Sequence, residues 1–595
     1  MSTSKCACIK EYSSIYAYLN ILIMAKILSL RISHYRGIEE FYQFFGDTNC
    51  VVLIGRGDSG KTTLLKAITS VLSPVWNTVF SDMDFFNKDT SIPICIETVI
   101  SEVPNELLKL DKYGEYFQLL KEDTVTPDIE DNEADQGIKV LKVWLVVDSS
   151  LEPKWTIVSD REIGDKTFSH GDRAKLNMFM VSDYVDNHFS YSKGSPLYSA
   201  LRLKLSKDQK SAPEKMLLET ARNVYEMIKS SSVLKDFDEA TELIKKNAQA
   251  LGLTLNELKT IIEFKSNAYS ESNLSLHSDD LPFRLRGKGS KRLLSIAIQY
   301  GLVEEGGIVL IDELEQGLES DRARNLTRLL ARSTKGQVFI TTHSKDVVLE
   351  PDADQIFLMK KGAKKLLSFD KKLQGLLRSK PDAFFARRII SCEGATEEGI
   401  IRAISDDLRE KRGYGIAVQG IVHLDGGGSN KFYSIADSFK ECGFDVMVFC
   451  DDDVRKLDEE YEKIIAKGIK VVKCKKDFAI EQQIFDELPW EGVCELVEYA
   501  ISEHGEDKKI LPIEKFDCET VDELRSCQAD KQAGIREALA KAAKANTDNG
   551  CWFKNIHHGE FVGRIWIKYL DHLPEDSVLK REYDEIIGWI GNEIV

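Results

Sequence analysis

Residues 55–62 have the types and spacing of a loop that binds nucleotide phosphates. The residues expected to contact the nucleotide are Gly55, Gly57, Asp58, Ser59, Gly60, Lys61 and Thr62. Glycines let backbone N–H groups close around phosphate oxygens, while the lysine reaches the outer phosphates and the threonine can hold Mg²⁺. Apolar runs at 50–54 and 64–68 place the loop where a strand turns into a helix, as the motif requires. We therefore predict ATP and Mg²⁺ binding here.

Polar residues that could complete this site follow two later apolar runs. Asp312 and Glu313 come directly after the run 308–311, and His343 lies just beyond the run 337–340. Carboxylates at the carboxyl end of a parallel strand face the crevice in which nucleotides bind. We predict that Asp312 orients the Mg²⁺ shell, that Glu313 polarises the attacking water, and that His343 senses the terminal phosphate.

A separate group of carboxylates follows two apolar runs in the C-terminal part. Glu393 and Glu397 come after the run 389–392, and Asp451 and Asp453 come after the run 446–450. Alternate residues of an extended chain point the same way, so Asp451 and Asp453 can share a cation. Hard oxygen ligands in this number suit Mg²⁺ or Mn²⁺ rather than zinc. Two such ions would clamp the attacking and leaving oxygens of a phosphodiester, which predicts nuclease chemistry.

The elements that must position these residues form an α/β pattern with one interruption. Strand-like segments and an early helix come first, a helical insertion follows, and alternating strands and helices then resume. A second α/β pattern follows and ends in helical, polar sequence. The predicted boundaries are 24–205 and 276–372 for the two parts of an ATPase domain, 206–275 for the insertion, which is a candidate for dimerisation, and 373–595 for the second domain.

The predicted insertion presents an apolar stripe at helical spacing that includes Leu243, Ile244, Leu255, Leu258 and Ile262. Such a stripe must be buried, and either the parent domain or a second subunit can cover it. Farther along, lysines punctuate residues 360–372, where the pattern fits either a surface hairpin or a strip that contacts phosphates.

Composition limits the class of protein. Hydrophobic residues make up 43% and charged residues 30% of the chain, and no apolar stretch approaches the length of a membrane span, so we expect a cytoplasmic protein without membrane contact. The net charge of −17 argues against broad coating of nucleic acid, so any DNA contact must be local. The alternating strand that opens after Met24 suggests that translation naturally begins there and that residues 1–23 are dispensable.

The first group of motifs resembles the ATP-binding-cassette type of ATPase, in the branch of chromosome-maintenance and DNA-repair ATPases. That resemblance implies that a glycine-rich signature of one ATPase head completes the nucleotide site of another, and hence a homodimer or higher homo-oligomer. The matching signature positions are Gly287, Gly289 and Ser290. No glutamine occurs between residues 61 and 100 to serve as the usual lid residue, and Asp82 or Asp84 lies in that neighbourhood instead.

The C-terminal carboxylates are similar to those of the Toprim domain, the metal-binding fold shared by topoisomerases, primases and some nucleases. An ABC-type ATPase followed by a Toprim domain resembles the OLD (overcoming lysogenisation defect) family of nucleases, which includes the large subunit of the Gabija anti-phage system and retron-associated nucleases. The resemblance implies that Glu481 is a later acidic metal ligand. It also implies that Lys554, which precedes Gly559 and Gly563, is the catalytic lysine and stabilises charge on the phosphate.

The resemblance to OLD nucleases implies a divalent-metal-dependent DNA endonuclease or nickase of anti-phage defence in which the nucleotide state gates Toprim cleavage. A defence-system partner protein or a retron nucleic acid would be a partner besides DNA. Two alternatives remain open at this stage. The chain could be an ATP-dependent clamp that binds DNA without cutting it, or a Toprim enzyme that acts like a primase or a topoisomerase.

Overall fold

A computed structural model describes most of the chain, and the statements below concern the residues that it describes. These are 25–75, 78–121, 124–126, 137–161, 163–182, 185–190, 195–204, 233–253, 255, 257–262, 274–304, 306–333, 335–428, 431–452, 458–504, 516, 518, 520–544 and 552–591. The predictions for residues 1–23 and for Asp453 lie outside the described residues. The chain divides into two units, Met1–Arg378 and Ser379–Val595, each described below by itself.

The first unit contains strands of two larger sheets and one smaller sheet, together with helices that cover them. Its strands are β1 (Lys26–Tyr35), β2 (Ile38–Phe44), β3 (Cys50–Ile54), β4 (Ile94–Ser101), β5 (Gln118–Lys121), β6 (Thr124–Thr126), β7 (Ile138–Val147), β8 (Pro153–Val158), β9 (Lys166–Thr167), β10 (Met178–Val181), β11 (Leu258–Ile262), β12 (Leu274–Ser278), β13 (Leu281–Pro282), β14 (Ile308–Ile311), β15 (Gln337–Thr341), β16 (Ile356–Leu358) and β17 (Leu367–Ser368). Its helices are α1 (Lys61–Leu72), α2 (His170–Arg173), α3 (Pro196–Lys204), α4 (Val233–Ala250), α5 (Lys288–Glu304), α6 (Ser320–Ala331), α7 (Lys345–Val348) and α8 (Gln374–Ser379).

A largely parallel sheet brings the nucleotide-binding motifs to one edge. Its strand order is β10-β14-β15-β3-β16-β17, and β17 is antiparallel to its neighbour. Every residue of β3, β14 and β15 is buried, which explains the consecutive apolar residues at 50–54, 308–311 and 338–340. The phosphate loop, Asp312 and His343 all follow the carboxyl ends of these strands, so the α/β class predicted from the sequence is confirmed.

An antiparallel sheet packs against the other side of the phosphate-loop helix. Its main path is β2-β1-β4-β7-β5-β6, and β8 and β9 extend it from β7. Helix α1 contacts strands of both sheets, and its residues Leu64, Leu65, Ile68 and Val71 are fully buried in the shared core. The helix that carries Lys61 and Thr62 is thereby held rigidly from two sides.

The predicted helical insertion is only partly helical among the described residues. Helix α4 packs on α5 of its own unit, where Asn247 Nδ2 donates to the Ala297 carbonyl at 3.4 Å. The parent domain thus buries Ile244 of the predicted stripe, but Leu243 is exposed, contrary to the prediction. Leu258–Ile262 form strand β11, which pairs antiparallel with β12, and the helical prediction for this stretch was wrong. Its β-branched residues Thr260, Ile261 and Ile262 favour a pleated strand over a helix.

The lysine-rich segment 360–372 contains the turn of a surface hairpin between β16 and β17. Lys364 pairs with Glu40 at 3.0 Å, and Lys371 pairs with Asp354 at 3.3 Å. The surface hairpin predicted for this segment is therefore observed, and contact of its lysines with phosphates stays a prediction.

The second unit has a parallel four-stranded sheet among its described residues, surrounded by helices. The strand order is β19-β18-β20-β21. These strands are β18 (Arg388–Cys392), β19 (Ile421–Asp425), β20 (Asp445–Cys450) and β21 (Lys470–Lys473). The helices are α9 (Ala395–Arg412), α10 (Lys431–Glu441), α11 (Asp458–Ala466), α12 (Ile480–Glu487), α13 (Trp490–His504), α14 (Val521–Arg525), α15 (Ala529–Lys544), α16 (Ile556–Lys568) and α17 (Val578–Ile590). None of the helices described in either unit is long and apolar enough to cross a membrane.

Candidate functional site

The phosphate loop packs against Met359, the residue that follows strand β16. A Cβ atom at Gly55 would lie 2.3 Å from the Met359 carbonyl oxygen, and one at Gly60 would lie 2.8 Å from Met359 Cε. Both glycines also have positive φ, 143° and 105°, a region that side chains disfavour. Gly55 and Gly60 are therefore required by geometry as well as by access to phosphate, and Met359 is a supporting residue that the motif did not reveal.

Lys61 folds back onto its own loop. Its Nζ donates to the carbonyls of Gly55 and Arg56 at 2.8 and 2.9 Å and lies 3.3 Å from Ser59 Oγ. Burial lowers the pKa of Lys61 to about 8, although the carboxylates of Asp312 and Glu313 oppose this shift. An ammonium that is desolvated and held by neutral carbonyls gains more from a phosphate than a hydrated one would.

Two hydroxyl groups converge on Asp312. Thr62 Oγ1 donates to Asp312 Oδ1 at 3.0 Å, and Thr341 Oγ1 donates to the same oxygen at 2.6 Å. The predicted partners Thr62 and Asp312 are thus brought together across the sheet. A hydroxyl and a carboxylate at this distance, beside a phosphate loop, form the donor set that suits Mg²⁺ bound to a nucleotide.

Arg292 of helix α5 holds the turn that carries the predicted catalytic glutamate. Its buried guanidinium donates to the carbonyls of Asp312 and Glu313, the latter at 2.7 Å, and to Gln316 Oε1 at 2.9 Å. Glu313 has a φ of 48°, a conformation that costs a residue with a side chain on the order of 1 kcal/mol. The arginine therefore stabilises a strained backbone at the place where Glu313 would act.

The signal for Arg292 was present in the sequence as a polar stripe. Arg292, Ser295 and Gln299 recur at helical spacing within an otherwise apolar helix, and all three are buried. A second residue that the sequence analysis missed is Glu315, which accepts from Thr342 Oγ1 and from the His343 backbone N–H, both at 2.7 Å. Glu315 thereby fixes the backbone beneath His343. Desolvation and the Lys61 charge lower the pKa of His343, which favours a neutral ring near pH 7.

The glycine-rich signature lies at the N-terminus of α5. Gly287 is exposed just before the helix, and Gly289 and Ser290 belong to its first turn. A Cβ atom at Gly289 would lie 2.3 Å from the Gly317 carbonyl oxygen of the same chain, so this glycine is needed for packing within the unit. The contact of these residues with a second nucleotide site stays a prediction. Near the lid position, Asp84 is paired with Arg36 at 2.8 Å and is thus already engaged.

In the second unit the predicted acidic residues meet at the carboxyl ends of β18 and β20. The Asp451 backbone N–H donates to Glu393 Oε2 at 2.9 Å, which joins the two strand ends directly. The Ile480 backbone N–H donates to Asp451 Oδ1 at 2.6 Å, which brings the start of α12 to the same place. Glu393, Asp451 and the first turn of α12 therefore form one cluster.

Glu397, Glu481 and Lys554 lie at the same cluster. Glu397 and Glu481 are 5% and 1% exposed, and Lys554 Nζ lies 3.2 Å from Glu481 Oε1. Burial and the neighbouring carboxylates, Glu481 and Glu393, raise the pKa of Glu397 well above its usual range. Burial lowers and the carboxylates raise the pKa of Lys554, with a raised value as the result, so this lysine stays charged.

Close packing of two helices places Lys554 over the carboxylates. A Cβ atom at Gly399 of α9 would lie 2.2 Å from the Ile556 carbonyl oxygen of α16, and one at Gly559 would lie 2.3 Å from the Thr396 carbonyl oxygen. Thr396 Oγ1 also donates to the Phe553 carbonyl at 2.5 Å, next to Lys554. The lysine is thus positioned by a contact between glycines of two helices that are far apart in the sequence.

The donor set of this cluster fits a divalent cation. Glu481 Oε2 is buried and accepts no hydrogen bond from the described part of the chain, which is costly for a carboxylate unless a cation compensates it. Glu393, Glu397 and Asp451 each accept a hydrogen bond from a backbone N–H through one carboxylate oxygen. Among the described residues, which exclude Asp453, no three His, Cys, Asp or Glu side chains yet stand close enough to enclose an ion.

The sequence matches two known families, one in each unit. Residues 50–350 match the family described as "AAA domain, putative AbiEii toxin, Type IV TA system". Residues 384–453 match the family described as "Overcoming lysogenization defect protein-like, TOPRIM domain". The first match covers more than half of the chain, and the second contains Glu393, Glu397, Asp451 and Asp453. A search of curated protein sequences found no match.

Several solved structures are similar to part of the chain. An Smc head domain with an extended coiled coil, bound to the C-terminal domain of ScpA and derived from Pyrococcus furiosus, covers 60% of this chain and 99% of its own, at 13% identity and a TM-score of 0.36. An SMC head domain from Thermotoga maritima covers 58% and 99%, at 13% identity and a TM-score of 0.29. The recombination mediator protein RecF-ATPrS of the RecFOR pathway covers 58% and 98%, at 13% identity and a TM-score of 0.33.

Proposed function

Because the chain belongs to this AAA-domain family and carries an OLD-like Toprim domain behind it, we propose that it is a metal-dependent DNA endonuclease or nickase gated by nucleotide. The observation that carries the proposal is the cluster of Glu393, Asp451 and Glu481 with Lys554 at one edge of a parallel sheet. Buried carboxylates beside a lysine suit hydrolysis of a phosphodiester, in which negative charge develops on phosphate oxygens.

The residues of the Toprim cluster have two kinds of role in this proposal. Glu393, Glu397, Asp451, Asp453 and Glu481 would hold Mg²⁺ or Mn²⁺, which supplies charge neutralisation and an activated water when bound. Lys554 stabilises negative charge on the scissile phosphate. Its Nζ is 3.2 Å from Glu481, and its side chain is 52% exposed, so it reaches both the carboxylates and an incoming strand.

The ATPase site acts as the control element in this proposal. Lys61, Thr62 and Asp312 bind the phosphates and Mg²⁺ of ATP, Glu313 polarises the attacking water, and His343 reports the terminal phosphate. The signature residues of one ATPase head would contact the nucleotide bound to another head. A homodimer or higher homo-oligomer is therefore part of the proposal. A role in anti-phage defence, with a partner protein or a retron nucleic acid as the trigger, rests on the family alone.

Plasmid cleavage with Mg²⁺ or Mn²⁺ tests the proposed nuclease. Glu393→Ala and Asp451→Ala should each lower cleavage by at least about 100-fold, because loss of even an outer-shell partner of a metal ligand costs about 10–100-fold. Asp437→Ala, which removes a surface carboxylate paired with Lys467, should cut like the wild type. Equal cleavage by all variants would exclude this centre, and DNA binding without any cleavage would favour a non-cleaving clamp.

Nucleotide control is tested separately in the same assay. Lys61→Ala should remove the effect of ATP on cleavage while divalent-cation binding to the Toprim cluster, measured by calorimetry, stays unchanged. The reason is that Lys61 contacts only its own loop and the nucleotide site among the described residues. A variant that remains sensitive to ATP would contradict the proposed gating.

A further inference from the structure

The first turn of α12 ties four different segments of the second unit together. The Ile480 N–H donates to Asp451, and Glu481 pairs with Lys554 at 3.2 Å. Gln482 Oε1 lies 3.5 Å from Lys544 Nζ, and Gln483 Oε1 accepts from the Lys475 N–H at 2.9 Å. Consecutive residues of one helical turn therefore set the positions of three lysine-bearing segments relative to Asp451.

The turn between β21 and α12 carries two lysines next to the carboxylate cluster. Lys475 and Lys476 are exposed, and the turn is bonded to the strand end because the Asp477 N–H donates to the Asp452 carbonyl at 2.9 Å. The Asp452 N–H donates back to the Phe478 carbonyl at 3.1 Å. Hydrogen bonds in both directions thus attach the backbone of this turn to the end of β20, next to Asp451.

The charges of this turn are available to a ligand. Among the described residues, Lys476 has no acidic partner. Lys475 pairs with Asp486 at 3.3 Å, but both side chains are about half exposed, at 51% and 45%, and such surface pairs contribute only ~0.2–1 kcal/mol. A polyanion can therefore replace Asp486 at little cost. Because the chain carries a net charge of −17, a local cluster of this kind is what nucleic acid binding requires.

We propose that Lys475, Lys476, Lys544 and Lys554, named here the lysine arc, form the track on which the DNA backbone lies across the Toprim cluster. The inference rests on the proposed nuclease function and adds to it the surface on which the DNA substrate binds. Lys554 takes the scissile phosphate, while Lys475, Lys476 and Lys544 contact flanking phosphates. Lysines contact the backbone without reading bases, so the arc positions any sequence equally well.

Salt-dependent DNA binding tests the lysine arc. A labelled duplex is titrated with the full chain by fluorescence anisotropy, with Ca²⁺ replacing Mg²⁺ to prevent cutting, at several salt concentrations. Each lost phosphate contact should reduce the slope of log K against log salt by about 0.9. Lys476→Gln should therefore lower the slope by about 0.9, and Lys476→Gln combined with Lys544→Gln by about twice that amount.

A matched lysine and the wild-type protein provide the controls. Lys467→Gln removes a cation of the same unit that pairs with Asp437 and Glu441, and it should leave the slope unchanged. If the wild type binds and cuts DNA but both arc variants have the wild-type slope, the lysine arc is wrong. The proposed nuclease function is not contradicted by that result. A wild-type protein that neither binds nor cuts DNA would overturn the proposed function together with it.

Discussion

Single side chains fix the backbone of the nucleotide site at two places, one of which is the strained turn at Glu313. Arg292 bonds the carbonyls of Asp312 and Glu313, and Glu315 bonds the backbone at His343. Neither Arg292 nor Glu315 belongs to the motifs that identify the site. The motif residues are the ones expected to provide the chemistry, while Arg292 and Glu315 fix the backbone that carries them.

Arg292→Lys should slow ATP hydrolysis without preventing ATP binding. Lysine keeps the charge but cannot span the two carbonyls and Gln316 at once, so Glu313 would lose its fixed position. Loss of one charged hydrogen bond, worth ~1.5 kcal/mol, corresponds to about a tenfold lower kcat. Steady-state turnover and the Kd of ATP measure the two effects, with melting temperature as a check on folding. An unchanged kcat would show that Arg292 does not position Glu313.

Glu582 gives the second unit a stability that depends on pH. It is 1% exposed, and neither of its oxygens accepts a hydrogen bond from the described residues. Burial and the nearby Glu487 raise the pKa of Glu582 from 4.5 to about 8. The folded state therefore binds the proton more tightly than the unfolded state, and the stability present below pH 4.5 is lost as pH rises to 8.

Glu582→Gln should abolish this loss of stability because glutamine stays neutral at every pH. The free energy of unfolding of the variant should exceed that of the wild type by a margin that grows from pH 5 to 8 and then levels off. The slope is at most about 1.4 kcal/mol per pH unit between the two pKa values. Denaturant unfolding at a series of pH values measures the margin. A margin that does not vary with pH would mean that Glu582 is not neutral in the folded protein.

At the scale of elements, the contact between α9 and α16 decides whether Lys554 reaches the carboxylates. Gly399→Ala would place a methyl group 2.2 Å from the Ile556 carbonyl and force the helices apart. We expect a loss of ~1–3 kcal/mol in stability and a strong loss of cleavage, with ATP hydrolysis kept. Gly588→Ala in α17 is the control, because a Cβ atom there meets nothing within 4 Å. Unchanged cleavage by the Gly399 variant would show that the contact between α9 and α16 does not position Lys554.

The sequence predicts elements well where a local pattern decides them. The buried runs of β3, β14 and β15 and the loop before α1 follow from apolar length and glycine spacing. Residues 258–262 were predicted to be helical because apolar residues at 258 and 262 fit the period of a helix as well as the two-residue period of a strand. Only the pairing with β12 shows that the segment is a strand. The sequence drew attention to Gly559 and Gly563 but not to Gly399, since nothing local links residues so far apart.

At the scale of the whole molecule, each unit has its own hydrophobic core. One core joins α1 to both sheets of the first unit, and the other joins the β18–β21 sheet to the C-terminal helices. Thermal unfolding should therefore show separate transitions. ATP with Mg²⁺ should raise the free energy of unfolding of the first unit by about 2.7 kcal/mol when ATP is at 100 times its Kd.

Lys61→Ala provides the control for this stabilisation and should show no shift with ATP. Calorimetric scans with and without ATP measure both transitions in each protein. A wild-type first unit whose transition does not shift with ATP would contradict nucleotide binding at this site.

The order of residues along the chain also sets the order in which the Toprim cluster can be completed during synthesis. Glu393, Asp451 and Glu481 emerge from the ribosome well before Lys554, and the helix that fixes Lys554 against α9 emerges later still. On the proposed roles, a nascent chain holds the metal ligands without the lysine. If synthesis stops before residue 554, the incomplete chain therefore lacks this lysine and should not be an active nuclease. Such a fragment would not cut the DNA of the cell that made it.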